Sequence, residues 1–271
     1  MTSESTASSG NTHAGDSSGL QRSSELTRFR LAPNPGPMSL DGTNSYVISA
    51  PGSSRVVIVD PGPADEHHLA ALAASGVVEL VLITHRHADH TGASARFHEL
   101  TGAPVRAASA EHCHGGEPLI DGEVLDAAGV EIRVVATPGH TSDSLCFHLP
   151  GDGHTGSVLT GDTILGRGTT VLDYPDGKLG DYLASLQRLE ELGPAILLPA
   201  HGPVLPALDE KCREYREHRE QRLDQIRAAL QRLGQGASVA AVTDAVYPDV
   251  DPSVRWAAET SVAAQLDYLR N

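Results

Sequence analysis

Between Thr84 and Gly92 the chain carries His85, His87, Asp89 and His90, four potential metal ligands within six residues. Neutral imidazole and carboxylate together suit zinc, manganese or iron. The run follows an apolar stretch, Val77 to Thr84, that reads as a buried strand. It precedes Thr91 to Leu100, which reads as a helix. A strand end is rigid, and the turn after it lets neighbouring side chains converge, as a ligand cage requires. A lone histidine is more often a structural or surface residue; four ligand types at this spacing are poorly explained that way.

Three more ligand-type side chains follow downstream, each at the end of a β-rich run and beside a glycine, where the backbone turns sharply. They are His140 within Thr137 to Ser144, Asp162 within Leu159 to Thr163, and His201 within Leu198 to Pro203. Singly each is weak; their order after the histidine cluster gives them weight. Gly166 to Thr170, rich in glycine and threonine, follows Asp162 closely enough to border a site. Glu111-His112-Cys113-His114 reads as a polar loop rather than a further metal site. No serine or cysteine stands in a convincing nucleophile setting.

Composition limits what these residues can serve. The net charge is -15 with histidines neutral. A field of that sign does not steer nucleic acid, which speaks against general DNA binding. Bound divalent metals would still supply local positive charge to an anionic substrate. Three cysteines, Cys113, Cys146 and Cys212, are widely spaced and odd in number, which suits a reducing compartment. No apolar run approaches the roughly 18 residues of a membrane span. The N-terminal stretch has neither the basic start nor the apolar middle of a signal peptide, so a cytoplasmic location is expected.

The elements that must position the ligands follow from patterning. Residues 1–24 are rich in Ser, Thr and Gly and poor in apolar side chains, and are expected to be a disordered tail. Tyr46 to Ser49 and Arg55 to Asp60 read as a hairpin, and Asp65 to Ala74 as a helix. Short strands are expected near Val105, at Val124 to Leu125, Ile132 to Ala136, Leu145 to Leu149, Val158 to Thr160 and Ile196 to Leu198, with a helix at Asp181 to Leu192. Two sheet halves with helices outside make an α/β fold, an αββα sandwich, over residues 25–207. After Pro206 the pattern is helical: Asp209 to Leu233, Val239 to Val246 and Pro252 to Leu269, a C-terminal module over residues 208–271.

The motif HxHxDH at His85 to His90, followed in order by His140, Asp162 and His201, resembles the metallo-β-lactamase superfamily. The resemblance implies that His85, His87 and His140 hold one metal, that Asp89, His90 and His201 hold a second, and that Asp162 bridges them. It further implies two divalent ions, Zn2+ foremost, with Asp89 orienting a metal-bound hydroxide. Asp60, in a turn similar to that superfamily's first motif, and Thr84 would support the ligand loops by hydrogen bonds. A bridging aspartate resembles the branch of phosphodiesterases, thioesterases and lactonases rather than the secreted antibiotic-hydrolysing enzymes. Asn34 to Val47 and Tyr215 to Ile226 look like segments of the lactamase-beta-2-like family, which joins the hydrolase domain to a winged-helix-like tail and includes single-strand endoribonucleases. The chain departs from that pattern in stopping at Asn271, before the strands of a wing.

Three functions are therefore weighed. The first expectation is a phosphodiesterase acting on single-stranded RNA, with Arg216, His218 and Arg219 lining one wall of the cleft and meeting phosphates. The same basic residues, interleaved with Glu214, Glu217, Glu220 and Asp224, also read simply as a solvated helix laced with i,i+3 and i,i+4 ion pairs. The second is a small-molecule thioester or lactone hydrolase resembling the glyoxalase type, favoured by the acidic charge and missing wing. The third, a non-catalytic metal-binding module, is weakest, because a full ligand set is rarely assembled without chemistry.

Overall fold

The structure is a computed structural model that describes residues 19–270. Eleven strands among them form two sheets. The first sheet runs β1 (Gln21–Arg22), β2 (Thr27–Leu31), β3 (Asn44–Ile48), β4 (Arg55–Val59), β5 (Val77–Leu82), β6 (Val105–Arg106) in that spatial order. Its first four strands pair antiparallel, and β4, β5 and β6 pair parallel. The second sheet has the order β11 (Ile196–Pro199), β10 (Ser157–Gly161), β9 (Leu145–Leu149), β8 (Val130–Ala136), β7 (Val124–Ala127), with only the β10/β11 pair parallel.

Burial explains the layering. In β8 the alternation of Val130, Ile132 and Val134 inward with Glu131 and Arg133 outward gives the sheet one apolar face. That face meets Tyr46, Ile48, Val57 and Val59 of the first sheet across a shared core that also holds Phe147, Leu149 and Leu159. The strands β3 and β4 are buried along most of their length because their other face is covered too. There Val47, Val56 and Ile58 pack with Leu69 and Leu72 of α1 (Glu66–Ala73) and Phe97 of α3 (Ser94–Thr101). Between β5 and α3 lies the single-turn α2 (Ala88–Thr91). The outer face of the second sheet carries α4 (Leu179–Glu190) and the first half of α5 (Leu208–Leu233), through Leu186, Leu189, Cys212 and Tyr215. The result is the four-layer αββα arrangement.

Two expectations need correction. Patterning extends the tail to residue 24, but Gln21 and Arg22 pair with Phe29 and Arg28, and Ser24 Oγ donates to Asp152 Oδ2 at 2.5 Å. Polar side chains that find partners offset ordering entropy even where apolar content is low; residues 1–18 lie outside the described residues. The boundary at 207/208 also fails to separate two cores, since Leu208, Cys212, Tyr215 and Leu223 of α5 share a cluster with Leu186 and Leu197. Only the far half of α5, with Ile226 and Leu230, forms a further cluster with Val242 of α6 (Val239–Val246) and Val262 and Leu266 of α7 (Arg255–Arg270). Strands of a wing are absent among the described residues. No helix among them is long and apolar enough to cross a membrane.

Candidate metal centre

All seven expected ligands converge at one edge of the sandwich. His85, His87, Asp89 and His90 follow β5 and run into α2; His140 lies between β8 and β9; Asp162 follows β10 and His201 follows β11. Gly161 makes the convergence possible. Its φ is +51°, and a Cβ there would sit 2.8 Å from Thr84 Cβ, so the end of β10 reaches the end of β5 only without a side chain.

The ligand atoms fall into two groups, each with its atoms within 4.8 Å of one another: His85, His87, His140 and Asp162 in one, Asp89, His90 and His201 in the other. His87 Nδ1 lies 3.0 Å from His85 Nε2 and 3.1 Å from His140 Nε2. Asp162 faces both groups with different oxygens. Its Oδ2 is 3.7 Å from His140 Nε2 and 4.0 Å from His85 Nε2, while its Oδ1 is 3.3 Å from His201 Nε2 and 3.7 Å from His90 Nε2. Asp89 Oδ2 lies 3.3 Å from His90 Nε2 and 3.2 Å from His201 Nε2.

The opposite nitrogen of every imidazole is anchored, which fixes each ring's orientation. His90 Nδ1 bonds with Asp60 Oδ2 at 2.7 Å, His140 Nδ1 with the Val171 carbonyl at 2.6 Å and His201 Nδ1 with the Gly42 carbonyl at 3.0 Å. His85 Nδ1 lies 3.1 Å from Thr84 Oγ1, and His87 Nε2 3.2 Å from Asp173 Oδ2. Asp60 also accepts from the Thr84 amide at 2.8 Å and from its hydroxyl at 2.7 Å. Thr43 Oγ1 donates to Asp89 Oδ2 at 3.0 Å. Sequence reasoning misses Asp173 and Thr43. Thr43 sits within the Asn34 to Val47 segment, whereas Asp173 stands in a loop with no ligand spacing to flag it.

Electrostatics prepare these groups for a cation. Burial raises Asp162, but the imidazoles of His201 and His90 outweigh it and hold the carboxyl far below the usual range. Burial likewise raises Asp89, and His90 and His201 drive it down further. Burial lowers His85 and His140, so both stay neutral and keep a free lone pair. Burial also lowers His201, yet Asp162 and Asp89 lift it to about 10. Two buried atoms aimed into the site, His90 Nε2 and Asp162 Oδ1, have no hydrogen-bond partner among the described residues. A buried polar atom without a partner costs free energy that a metal ion would recover. Five imidazoles and two carboxylates fit a pair of divalent ions.

A cavity of about 660 Å³ opens over the centre. His87, Asp89, His140, Asp162 and His201 form its floor, and Met38, Val171, Leu172, Tyr174 and Trp256 give it an apolar wall. Its lining contains no lysine or arginine among the described residues. The expected phosphate-binding wall is not built here. Arg216 Nη1 is tied to Glu190 Oε2 at 2.6 Å on the far side of α5. Arg219 is buried against Tyr182, and His218 borders a different cavity. Helical geometry sends these residues away from the metals, and several other α5 bases pair as a solvated helix does, such as Arg213 with Asp209 at 3.0 Å.

An αββα sandwich with paired His/Asp ligand groups at its edge defines a binuclear metallo-hydrolase. The family model of the metallo-β-lactamase superfamily matches residues 38–201, and the chain belongs to that superfamily. It is similar to the atrochrysone carboxyl ACP thioesterase of Aspergillus fumigatus, 34% identical over 212 residues, covering 75% of this chain and 64% of that one. The chain thus spans just under two thirds of that relative's length. It is 33% identical over 263 residues to the beta-lactamase-like protein 2 homolog of Caenorhabditis elegans, covering 92% and 86% of the two chains. Among solved structures it resembles a metallo-β-lactamase family protein of Thermus thermophilus, with TM-score 0.73, 25% identity and coverage of 90% and 93%.

Proposed function

We propose that the protein hydrolyses a small-molecule thioester with an apolar acyl group, using two divalent ions, Zn2+ foremost. The observation that carries this reading is the cavity: an apolar wall directly over the ligand groups and, among the described residues, no lysine or arginine lining it for a phosphodiester backbone. The name of the Aspergillus relative, a thioesterase, points the same way. His85, His87 and His140 would hold one ion, Asp89, His90 and His201 the other, and Asp162 both. Ions held there would polarise the thioester carbonyl and activate water for attack.

The chain's own residues do the rest. Met38, Tyr174 and Trp256 bind the acyl group and exclude bulk water, which strengthens the electrostatics at the carbonyl. Asp89 orients the attacking water, and Thr43 holds one of its oxygens at 3.0 Å so that the carboxylate does not rotate away. Asp60 fixes Thr84 and His90 together, so the ligand turn is set before substrate arrives.

The test assays purified, metal-loaded protein against an acyl thioester and a labelled single-stranded RNA, with Asp162→Ala as control. Thioester turnover that is lost in the variant together with bound metal is expected. RNA cleavage without thioester turnover would replace this reading with the ribonuclease one.

A further inference from the structure

A second cavity, of about 230 Å³, lies beside the first, and Val171 lines both. The start of α7 stands between them: Trp256 and Thr260 border the metal-site cavity, while Ala257, Ala258 and Ser261 border the second. The second is lined by Arg219, Arg222 and His218 together with Thr169 and Thr170, and no carboxylate is in its lining among the described residues.

Three facts set this cluster apart from the paired bases elsewhere on α5. Arg219 is 3% exposed, and among the described residues it makes no ion pair with a carboxylate. One guanidinium nitrogen donates to the Thr170 carbonyl and the group lies 5.0 Å from the Tyr182 ring centre, but Nε has no partner among the described residues. His218 Nδ1 is likewise buried without a partner among the described residues. Arg222 stacks over Tyr247 at 4.7 Å and, among the described residues, bonds only to the neutral Gln225 and makes no ion pair with a carboxylate. In a chain of net charge -15, several carboxylates were at hand to neutralise these groups. Burying a guanidinium with an open donor is costly unless an anion completes it.

We propose that this cavity binds a phosphate group, held by Arg219, Arg222 and His218 with the Thr169 hydroxyl beside it. A phosphate monoester matches the site in size and charge, and guanidinium forks suit its oxygens. The phosphate is either free in solution or part of the thioester's carrier; only the second source rests on the hydrolase reading above.

Calorimetric titration of the metal-loaded full chain with inorganic phosphate tests the site. One saturable event is expected, weakened about tenfold or more in Arg222→Gln and in His218→Asn. No saturable binding, or binding equal in all three proteins, which would place the anion at the metals instead, overturns the proposal. Two variants guard against one that merely misfolds, and the metal content of each reports folding. Kinetics then distinguish the sources. If Arg222→Gln raises KM about tenfold for acetyl-coenzyme A but not for S-acetyl-pantetheine, the phosphate belongs to the substrate. If phosphate binding is weakened and neither KM moves, the ligand is separate. If the native protein hydrolyses neither thioester, the hydrolase reading fails while the titration still decides the site.

Discussion

Asp173 accepts from His87 Nε2 at 3.2 Å and also from Arg86, which in turn reaches Asp176 at 3.0 Å. His87 is the imidazole shared between two short nitrogen contacts, so its ring orientation decides whether three lone pairs meet at one point. Asp173→Asn is expected to weaken metal affinity at this group by about 10–100-fold, read by competition with a chromophoric chelator. Unchanged affinity would show that packing alone orients the ring. His68 gives a prediction of another kind. Burial, and then the charge of Arg30, lower its pKa from 6.5 to about 4. The unfolded chain therefore takes up a proton between about pH 6.5 and 4 that the folded chain refuses. This group's effect on stability is flat above that window, falls as pH drops through it, and levels off below about 4. The loss approaches about 3 kcal/mol at about 1.4 kcal/mol per pKa unit. Urea melts across pH 4–7 should show a shallower slope for His68→Gln; parallel curves would remove His68 from the acid response. At this scale the seven ligand-type residues are readable because they cluster and recur beside glycines, whereas Asp173 and Thr43 are not. Their role depends on which loops meet in space, and local spacing does not encode that.

Elements are legible where one face is apolar. The helix expected at Val239 to Val246 is observed with those limits, and α5 and β9 deviate by at most one residue. The region expected as one helix from Thr91 splits instead into α2 and α3, because the ligand turn itself is helical from Ala88. The edge strands β1 and β2 carry too little apolar pattern to be read from sequence; they form because β3 offers a free edge of backbone donors and acceptors. How α4 meets the His140 turn is also unreadable, yet it sets the centre. Gly139 has φ +140°, and a Cβ there would collide with Tyr182 Cα, a backbone atom that cannot step aside. Gly139→Ala should lower stability by about 2 kcal/mol or more and displace His140. Denaturant melts together with metal analysis check this: an unchanged midpoint with full metal content would mean that α4 shifts freely.

Across the whole molecule, the ligands tie one sheet to the other. Four follow β5 of the first sheet, and three come from loops at the ends of the second. Without metal the two halves are joined there mainly by hydrogen bonds such as Asn44 to the Pro199 carbonyl at 2.9 Å. Metal at about a hundredfold above Kd adds about 2.7 kcal/mol, so chelation should lower Tm by roughly 5–10 °C, measured by calorimetry with and without a chelator. An unaltered Tm would mean that the native chain does not bind the metals in preference to the unfolded one. Through the same loops, α5 is tied to the metal centre. Arg219 holds the Thr170 carbonyl, Thr170 Oγ1 donates to the Asp162 carbonyl at 2.8 Å, and the Val171 carbonyl orients His140.

The chain has a single tryptophan, Trp256, 52% exposed on the wall above the metal ligands. Its indole is the only one in the protein, so fluorescence excited at the red edge of the protein band comes from the mouth of the cavity and from nowhere else. An occupant that shields the ring from water would shift the emission to shorter wavelength, giving an unlabelled readout of binding. The same property makes emission a poor measure of global unfolding: detachment of the start of α7 would change the signal while both sheets stayed intact.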